Sequence, residues 1–286
     1  MTNLLWVTIL VLGALVAVLA VGLRRVWNEM RTAHQRLHRL EHREVQYERQ
    51  NAVLCRTACS ALASAMLPSQ VAVTCHSQHG EELFLWDLLN RKRNGFFIEI
   101  GAYNGTSLSN SYFFEQIGWR GILVEADPKL AEQCRQSRPG SQVVHAALGE
   151  RDDGSIEFSI VRGAEGMDTL SFVEADDAHR RRIESRGGRV EKVQVPSRSL
   201  NSILDELQPP SIDWISIDVE GVELQVLKGW AIDRYRPQIV VIEDNSGGRD
   251  QTIRNYLTDQ GYDHQMRLGC NDFYLQKCSI DDNVRA

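Results

Sequence analysis

The chain has 286 residues and a formal charge of −6 at neutral pH, which excludes a nucleic-acid binder working through bulk basic charge. With an N-terminal segment set apart, that length holds one domain with a substantial core. Cys55, Cys59, Cys75, Cys134, Cys270 and Cys278 form no C-x-x-C pair and no histidine spacing suited to zinc, so free or buried thiols in a reducing compartment are expected.

Leu4 to Leu23 is an uncharged run; about 20 residues rising ~1.5 Å each span a ~30 Å hydrocarbon core. No positive charge precedes it, as a cleaved signal peptide would require. Arg24, Arg25, Arg31, Arg36, Arg39 and Arg43 follow it. A single-pass membrane anchor over 1–23 with the bulk of the chain in the cytoplasm is therefore expected.

Residues 24–67 contain neither glycine nor proline, and Pro68 ends the run, so one long helix is expected over 24–68. Met30, Ala33, Leu37, Leu40, Glu44, Tyr47, Asn51, Leu54, Ala58, Ala61 and Ala65 step by three and four. Two readings stand: a coiled coil joining protomers through 27–65, or an amphipathic helix packed on its own domain or along the bilayer. His34, His38 and His42, one turn apart, read as a solvated polar face.

A globular domain over 69–277 follows, and 278–286 read as a loose tail. The turn Ser77-Gln78-His79-Gly80 leads into a helix from Glu81 to Leu89, its acids favourably at the N-terminus. Phe96 to Ile100 is a buried strand that turns through Gly101 and Gly105. Ser107 to Gln116 is expected to be helical. Strand, glycine turn and helix together form a cofactor cradle. Gly121 to Glu125 is a second buried strand, ending on a carboxylate about two dozen residues after Gly101. Glu125 there either holds ribose hydroxyls or caps the helix starting near Pro128.

Gln142 to Leu148 reads as a third strand and Ile156 to Val161 as an extra one. Gly163 to Lys192 has no steady apolar period and reads as a mobile insertion, a place for a substrate lid. Its Arg180, Arg181, Arg182, Arg186 and Arg189 form either a solvated face or a patch for an anionic ligand. Beyond it come a helix over Ser199–Leu207, a strand over Asp213–Gly221 and a helix through Leu227. A strand over Gln238–Asn245, a helix over Asp250–Gln260 and closing strands over Tyr262–Leu268 and Asp272–Gln276 complete the domain. This alternation means an α/β domain with a parallel sheet. Acids at the carboxyl ends of four strands collect along one sheet edge, where open α/β sheets bind ligands.

Several motifs then carry a resemblance. Ser77-Gln78-x-Gly80-Glu81, Phe97-x-Glu99-x-Gly101-Ala102-x-Asn104-Gly105 and Gly118-Trp119-x-Gly121-x-x-x-Glu125 occur in order. Ile217-Asp218-Val219-Glu220-Gly221-x-Glu223-x-x-Val226-Leu227-Lys228-Gly229, Arg236-Pro237 and Asn271-Asp272 follow them. Over roughly Val71 to Gln276 the chain resembles the FkbM family of S-adenosylmethionine-dependent methyltransferases. It departs in the long 163–192 insertion and in Ser216, which stands where a lysine is expected.

The resemblance implies a Rossmann-like class I methyltransferase sheet and methyl transfer to a hydroxyl, on a sugar, glycolipid or secondary metabolite. It implies that Glu99, Gly101 and Gly105 hold the methionine end of S-adenosylmethionine, with Gln78 and Asn104 completing the cofactor set. Glu125 would take the ribose, while His145 and Ala146 border the adenine. A hydroxyl is a poor nucleophile at neutral pH, so a base is required. Asp218 leads, with Glu220 and His145 behind it; Asp218 otherwise caps the following helix. Asp218, Asp244 and Asn245 also offer oxygen ligands for Mg²⁺, although metal-free chemistry is favoured. Two other classes compete: a membrane-tethered oligomeric scaffold that keeps the fold, and an oxidoreductase, which the missing G-x-G-x-x-G opposes.

Overall fold

The computed structural model describes residues 50–67, 72–163, 168–173, 177–185 and 187–277. The chain divides by its contacts into Met1–Leu54 and Cys55–Ala286. The expected anchor over 4–23, most of the long helix and the tail lie outside the described residues. Among those described, no helix is long and apolar enough to cross a membrane.

Helix α1 runs over 50–66. In the second unit its Cys59, Ala63, Met66 and Leu67 side pack into the domain core. Ala58, Ala61, Leu62 and Ala65 are exposed on the other side. Over 55–67 the helix thus packs one side on its own domain and leaves Ala58, Ala61 and Ala65 of the three-and-four stepping exposed. The later helices and strands begin with α2 (Glu81–Leu88), β1 (Phe96–Ile100), α3 (Tyr112–Gln116), β2 (Arg120–Glu125) and α4 (Pro128–Ser137). Next come β3 (Ser141–His145), β4 (Ala147–Gly149), β5 (Gly154–Arg162), α5 (Asp177–Ser185), β6 (Arg189–Ser199) and α6 (Leu200–Leu207). The last are β7 (Trp214–Ile217), α7 (Glu223–Lys228), β8 (Ile239–Glu243), α8 (Thr252–Asp259), β9 (Tyr262–Leu268) and β10 (Asn271–Gln276).

The main sheet has seven strands in the order β3-β2-β1-β7-β8-β10-β9. β10 runs antiparallel to both neighbours, and the other pairings are parallel. This is the expected Rossmann-like arrangement. The chain leaves β1 in one direction through β2 and β3, then returns to lay β7 on the other side. Strand order therefore reverses between β1 and β7, which opens a crevice at their carboxyl ends. β1 and β7 are buried almost throughout. Phe97, Phe114, Trp119 and Trp214 pack as stacked, tilted and edge-on rings on one sheet face.

Three expectations are corrected. The strand expected over 142–148 breaks at Ala146, whose N–H bonds Glu125 O at 3.1 Å. Its second half, β4, joins a separate three-stranded sheet in the order β4-β6-β5. The insertion also ends earlier than expected, because Arg189–Lys192 open β6, which pairs antiparallel with β5 from Gly154↔Ser197 to Arg162↔Arg189. Only the sparse inward residues of β6 are buried, so its apolar signal is weak. Within that insertion Arg180 and Arg181 are exposed on α5, as a solvated face requires. Finally, only Tyr112–Gln116 of the helix expected from Ser107 forms, since Ser109, Asn110 and Ser111 turn back to bind Glu99.

Candidate active site at the carboxyl edge of the main sheet

The crevice begins where β1 stops. Gly101 has φ +82°, and a Cβ on it would lie 1.8 Å from Asp218 O. Asp218 N in turn donates to Ile100 O at 3.0 Å. Glycine is needed here because the tips of β1 and β7 touch. Gly105, at φ +82°, presses on α4 instead: a Cβ there would meet Ser137 Oγ at 2.8 Å and Arg138 Cγ at 2.9 Å. Asn104 closes the same turn, its Oδ1 accepting from Thr106 N at 3.1 Å and Ser107 N at 2.8 Å. Gln78, Glu99, Gly101, Glu125, Ala146, Asp218 and Glu220 all line one cleft. Asn104, Gly105 and His145 do not. They were placed near the cofactor by motif, but the first two shape the loop from behind. The His145 ring Nε2 lies 3.0 Å from Ala126 O.

Glu99 does its work through the loop it holds. Its carboxylate accepts from Ser109 Oγ at 2.8 Å, Asn110 N at 2.8 Å and Ser111 Oγ at 2.5 Å. Arg138 Nη1 stands 3.8 Å from it. The fully buried Arg138 also donates to Glu115 at 2.8 Å, Gly105 O at 2.7 Å and Ser111 Oγ at 2.9 Å. Those contacts make Ser107, Leu108, Ser109 and Asn110 part of the cleft wall. Asn110 Nδ2 reaches Ser216 Oγ at 3.1 Å across the floor, which gives Ser216 a place in the site.

Glu125 accepts from Tyr103 N and Asp127 N, both at 2.8 Å. Burial pushes its carboxyl up to about 7, and those bonds offset the shift only in part. Each ionised carboxylate oxygen has two lone-pair sites, so acceptor capacity remains toward the cleft. The helix cap weighed for Glu125 belongs to Asp127, which accepts from Lys129 N at the start of α4. Near the rim, Glu81 accepts from Asn271 Nδ2 at 2.9 Å and His79 N at 2.7 Å. Glu82 is buried, accepts from His76 N and Ser77 N, and is also raised to about 7 by burial. The acids of α2 are therefore taken up in internal hydrogen bonds, with their own turn and, for Glu81, with β10.

At the far side, Asp218 is exposed, Glu220 is half-buried and Glu243 is buried. One carboxylate oxygen from each lies within 4.8 Å of the other two. Burial, then the charges of Asp218 and Glu220, push the Glu243 carboxyl far up. Glu223 ties the loop together by accepting from Val219 N at 3.2 Å and Gly221 N at 3.0 Å. Of the trio Asp218, Asp244 and Asn245, the first and last line the cleft and Asp244 does not. Asp244 accepts from Ser246 N at 2.7 Å and Gly248 N at 2.9 Å and is paired with Arg267. Adjacent residues of a strand point to opposite faces, so Glu243 enters the cleft and Asp244 does not. The signal for Glu243 was present in its strand-end position. That for Arg138, whose partners lie far away in sequence, was not.

Among the described residues lining the cleft there are six acids (Glu81, Glu99, Glu125, Asp218, Glu220 and Glu243) and no lysine, arginine or histidine. Leu130, Ala146, Leu148 and Phe158 supply an apolar wall.

Residues 99–263 match the model of the methyltransferase FkbM domain. Methyltransferase sdnD of Sordaria araneosa is 27% identical over 208 residues, covering 62% of this chain and 77% of that protein. Among solved structures, the human methyltransferase 10 domain containing protein aligns at 12% identity and TM-score 0.39, over 79% of this chain and 95% of that one. An O-methyltransferase from Bacillus cereus in complex with SAH aligns at 16% identity and TM-score 0.34, over 75% and 86%.

Proposed function

The chain belongs to the methyltransferase FkbM domain family, and from that premise we propose that it is an S-adenosylmethionine-dependent O-methyltransferase acting on a hydroxyl of a sugar, glycolipid or secondary metabolite. The observation that carries the reading is the make-up of the cleft: carboxyl groups, the exposed Asp218 and half-buried Glu220 among them, and no basic side chain among its described lining residues. Such a lining attracts a sulfonium cation and repels the pyrophosphate of a dinucleotide. The residues present fit the cofactor in other ways. Glu125 lies in the lining as a carboxyl acceptor for the ribose, and Leu130, Ala146, Leu148 and Phe158 offer apolar surface to an adenine.

When bound, the cofactor supplies a methyl carbon already activated by a positively charged sulfur. The chain has to align the acceptor oxygen with that carbon and take away the acceptor's proton. Asp218, the exposed carboxylate at the tip of β7, is the base. Glu220 stands beside it, whereas His145, bonded to Ala126 O, is not assigned this role.

Calorimetry with S-adenosylhomocysteine and with NAD tests the reading: uptake of the first alone is expected, and uptake of NAD alone would overturn it. In cells, Asp218→Asn is expected to lower acceptor methylation by about 10²–10⁴-fold, read as a lost methyl group by mass spectrometry of lipids and glycans. We also propose a bilayer anchor through residues 4–23, with the catalytic domain cytoplasmic, and homo-oligomer formation through 27–65. The uncharged run, the arginines behind it and the three-and-four stepping support these. A tether raises the effective concentration of a membrane-confined acceptor. Recovery of the full-length protein in the soluble fraction would count against the anchor.

A further inference from the structure

Glu243 closes β8 with 9% of its surface exposed. Its Oε2 is buried and has no hydrogen-bond partner among the described residues. A carboxylate oxygen removed from water and from every donor is costly unless a proton or a cation lies against it. The charged groups around it, Asp218 and Glu220 from the β7 tip and Glu223 from α7, are of the same sign.

Geometry agrees with this chemistry. The ligand oxygens of Asp218, Glu220 and Glu243 all lie within 4.8 Å of one another. Oxygens on opposite sides of a bound ion stand about 4–5 Å apart, twice a metal–oxygen distance of about 2.0–2.6 Å. One ion can therefore touch all three. A set made only of carboxylate oxygens selects a hard cation over a soft one. We propose that Asp218, Glu220 and Glu243 bind one divalent cation of the Mg²⁺, Mn²⁺ or Ca²⁺ class in the cleft.

The purpose of the ion rests on the methyltransferase reading above. Three protein oxygens leave positions of a six- to eight-coordinate shell open, and the exposed Asp218 side faces the crevice mouth. Those positions suit an acceptor that presents its hydroxyl next to a second oxygen, as vicinal diols and hydroxy acids do. Coordination lowers the pKa of the bound hydroxyl. The substrate class is thereby narrowed to chelating hydroxyls.

The test is calorimetric titration of the EDTA-stripped full-length protein with MgCl₂, MnCl₂ and CaCl₂ in turn, before any acceptor is known. Uptake of one ion per chain with a Kd tighter than about 1 mM is expected for at least one salt. Glu243→Gln is expected to weaken it at least about tenfold. Glu220→Gln, in a half-exposed loop, should do the same and guards against a folding failure at the buried site. No saturable uptake of any of the three salts, or equal uptake by wild type and both variants, overturns the proposal. S-adenosylhomocysteine is titrated into the same samples. Ion uptake without the nucleoside upholds the cation site and sinks the methyltransferase reading; nucleoside uptake without the ion sinks the cation site alone.

Discussion

Glu125 shows how one side chain can pull stability and binding in opposite directions. Burial lifts its carboxyl from 4.5 to about 7. Between those values the folded chain holds a proton that the unfolded chain has released, so this group lowers stability as pH rises through that window. Binding runs the other way, because ribose hydroxyls need an ionised acceptor. S-adenosylhomocysteine is expected to bind several-fold more tightly at pH 8 than at pH 6. Glu125→Gln should abolish that dependence and weaken binding at pH 8 by about tenfold or more, the worth of a charged hydrogen bond. Calorimetry at the two pH values checks both, and a wild-type affinity flat with pH would refute the assignment. Arg138 is the structural counterpart. Replacing it by methionine strands Glu99 and Glu115 inside the protein, and a loss of about 3–5 kcal/mol is expected in urea unfolding. The sequence placed Glu99 and Glu125 at the crevice, because a residue's place at a strand end follows from local pattern. It did not disclose Arg138, whose partner Glu115 lies 23 positions away and whose other contacts sit on a separate loop.

At the scale of elements, the buried strands of the main sheet were legible because each is a short apolar run with turn residues around it. The small sheet was not. β4 is only three residues long, and β5 and β6 carry partly exposed patterns; such strands take their identity from the partner they meet. One ion pair links this small sheet to the main one. Arg162 Nη1 lies 2.9 Å from Asp127 Oδ2, and Asp127 is fully buried. Arg162→Met is expected to cost about 3 kcal/mol by leaving that carboxylate alone. Adding Asp127→Asn removes the charge yet keeps a good N-cap for α4, so the double variant should recover most of the loss in denaturant unfolding. Equal losses in single and double variants would mean the pair carries no such weight.

For the whole molecule, cofactor binding and folding are linked. A ligand that binds only the native state at a hundred times its Kd adds about 2.7 kcal/mol, or roughly 5–10 °C of Tm for a domain of this size. S-adenosylhomocysteine is expected to give that shift and NAD none. By itself the sequence determined the α/β class, the run of the buried strands and the gathering of acids along one sheet edge. Hydrophobic period and turn chemistry are local, and they survive without knowledge of partners. Only the tertiary structure decided which acids face the cleft and which are consumed in holding it. It set Glu243 inward and Asp244 against Arg267, gave the α4 cap to Asp127, and joined Asn271 to Glu81 across 190 residues of chain. Such choices depend on contacts between distant segments, and those exist only once the sheet has formed.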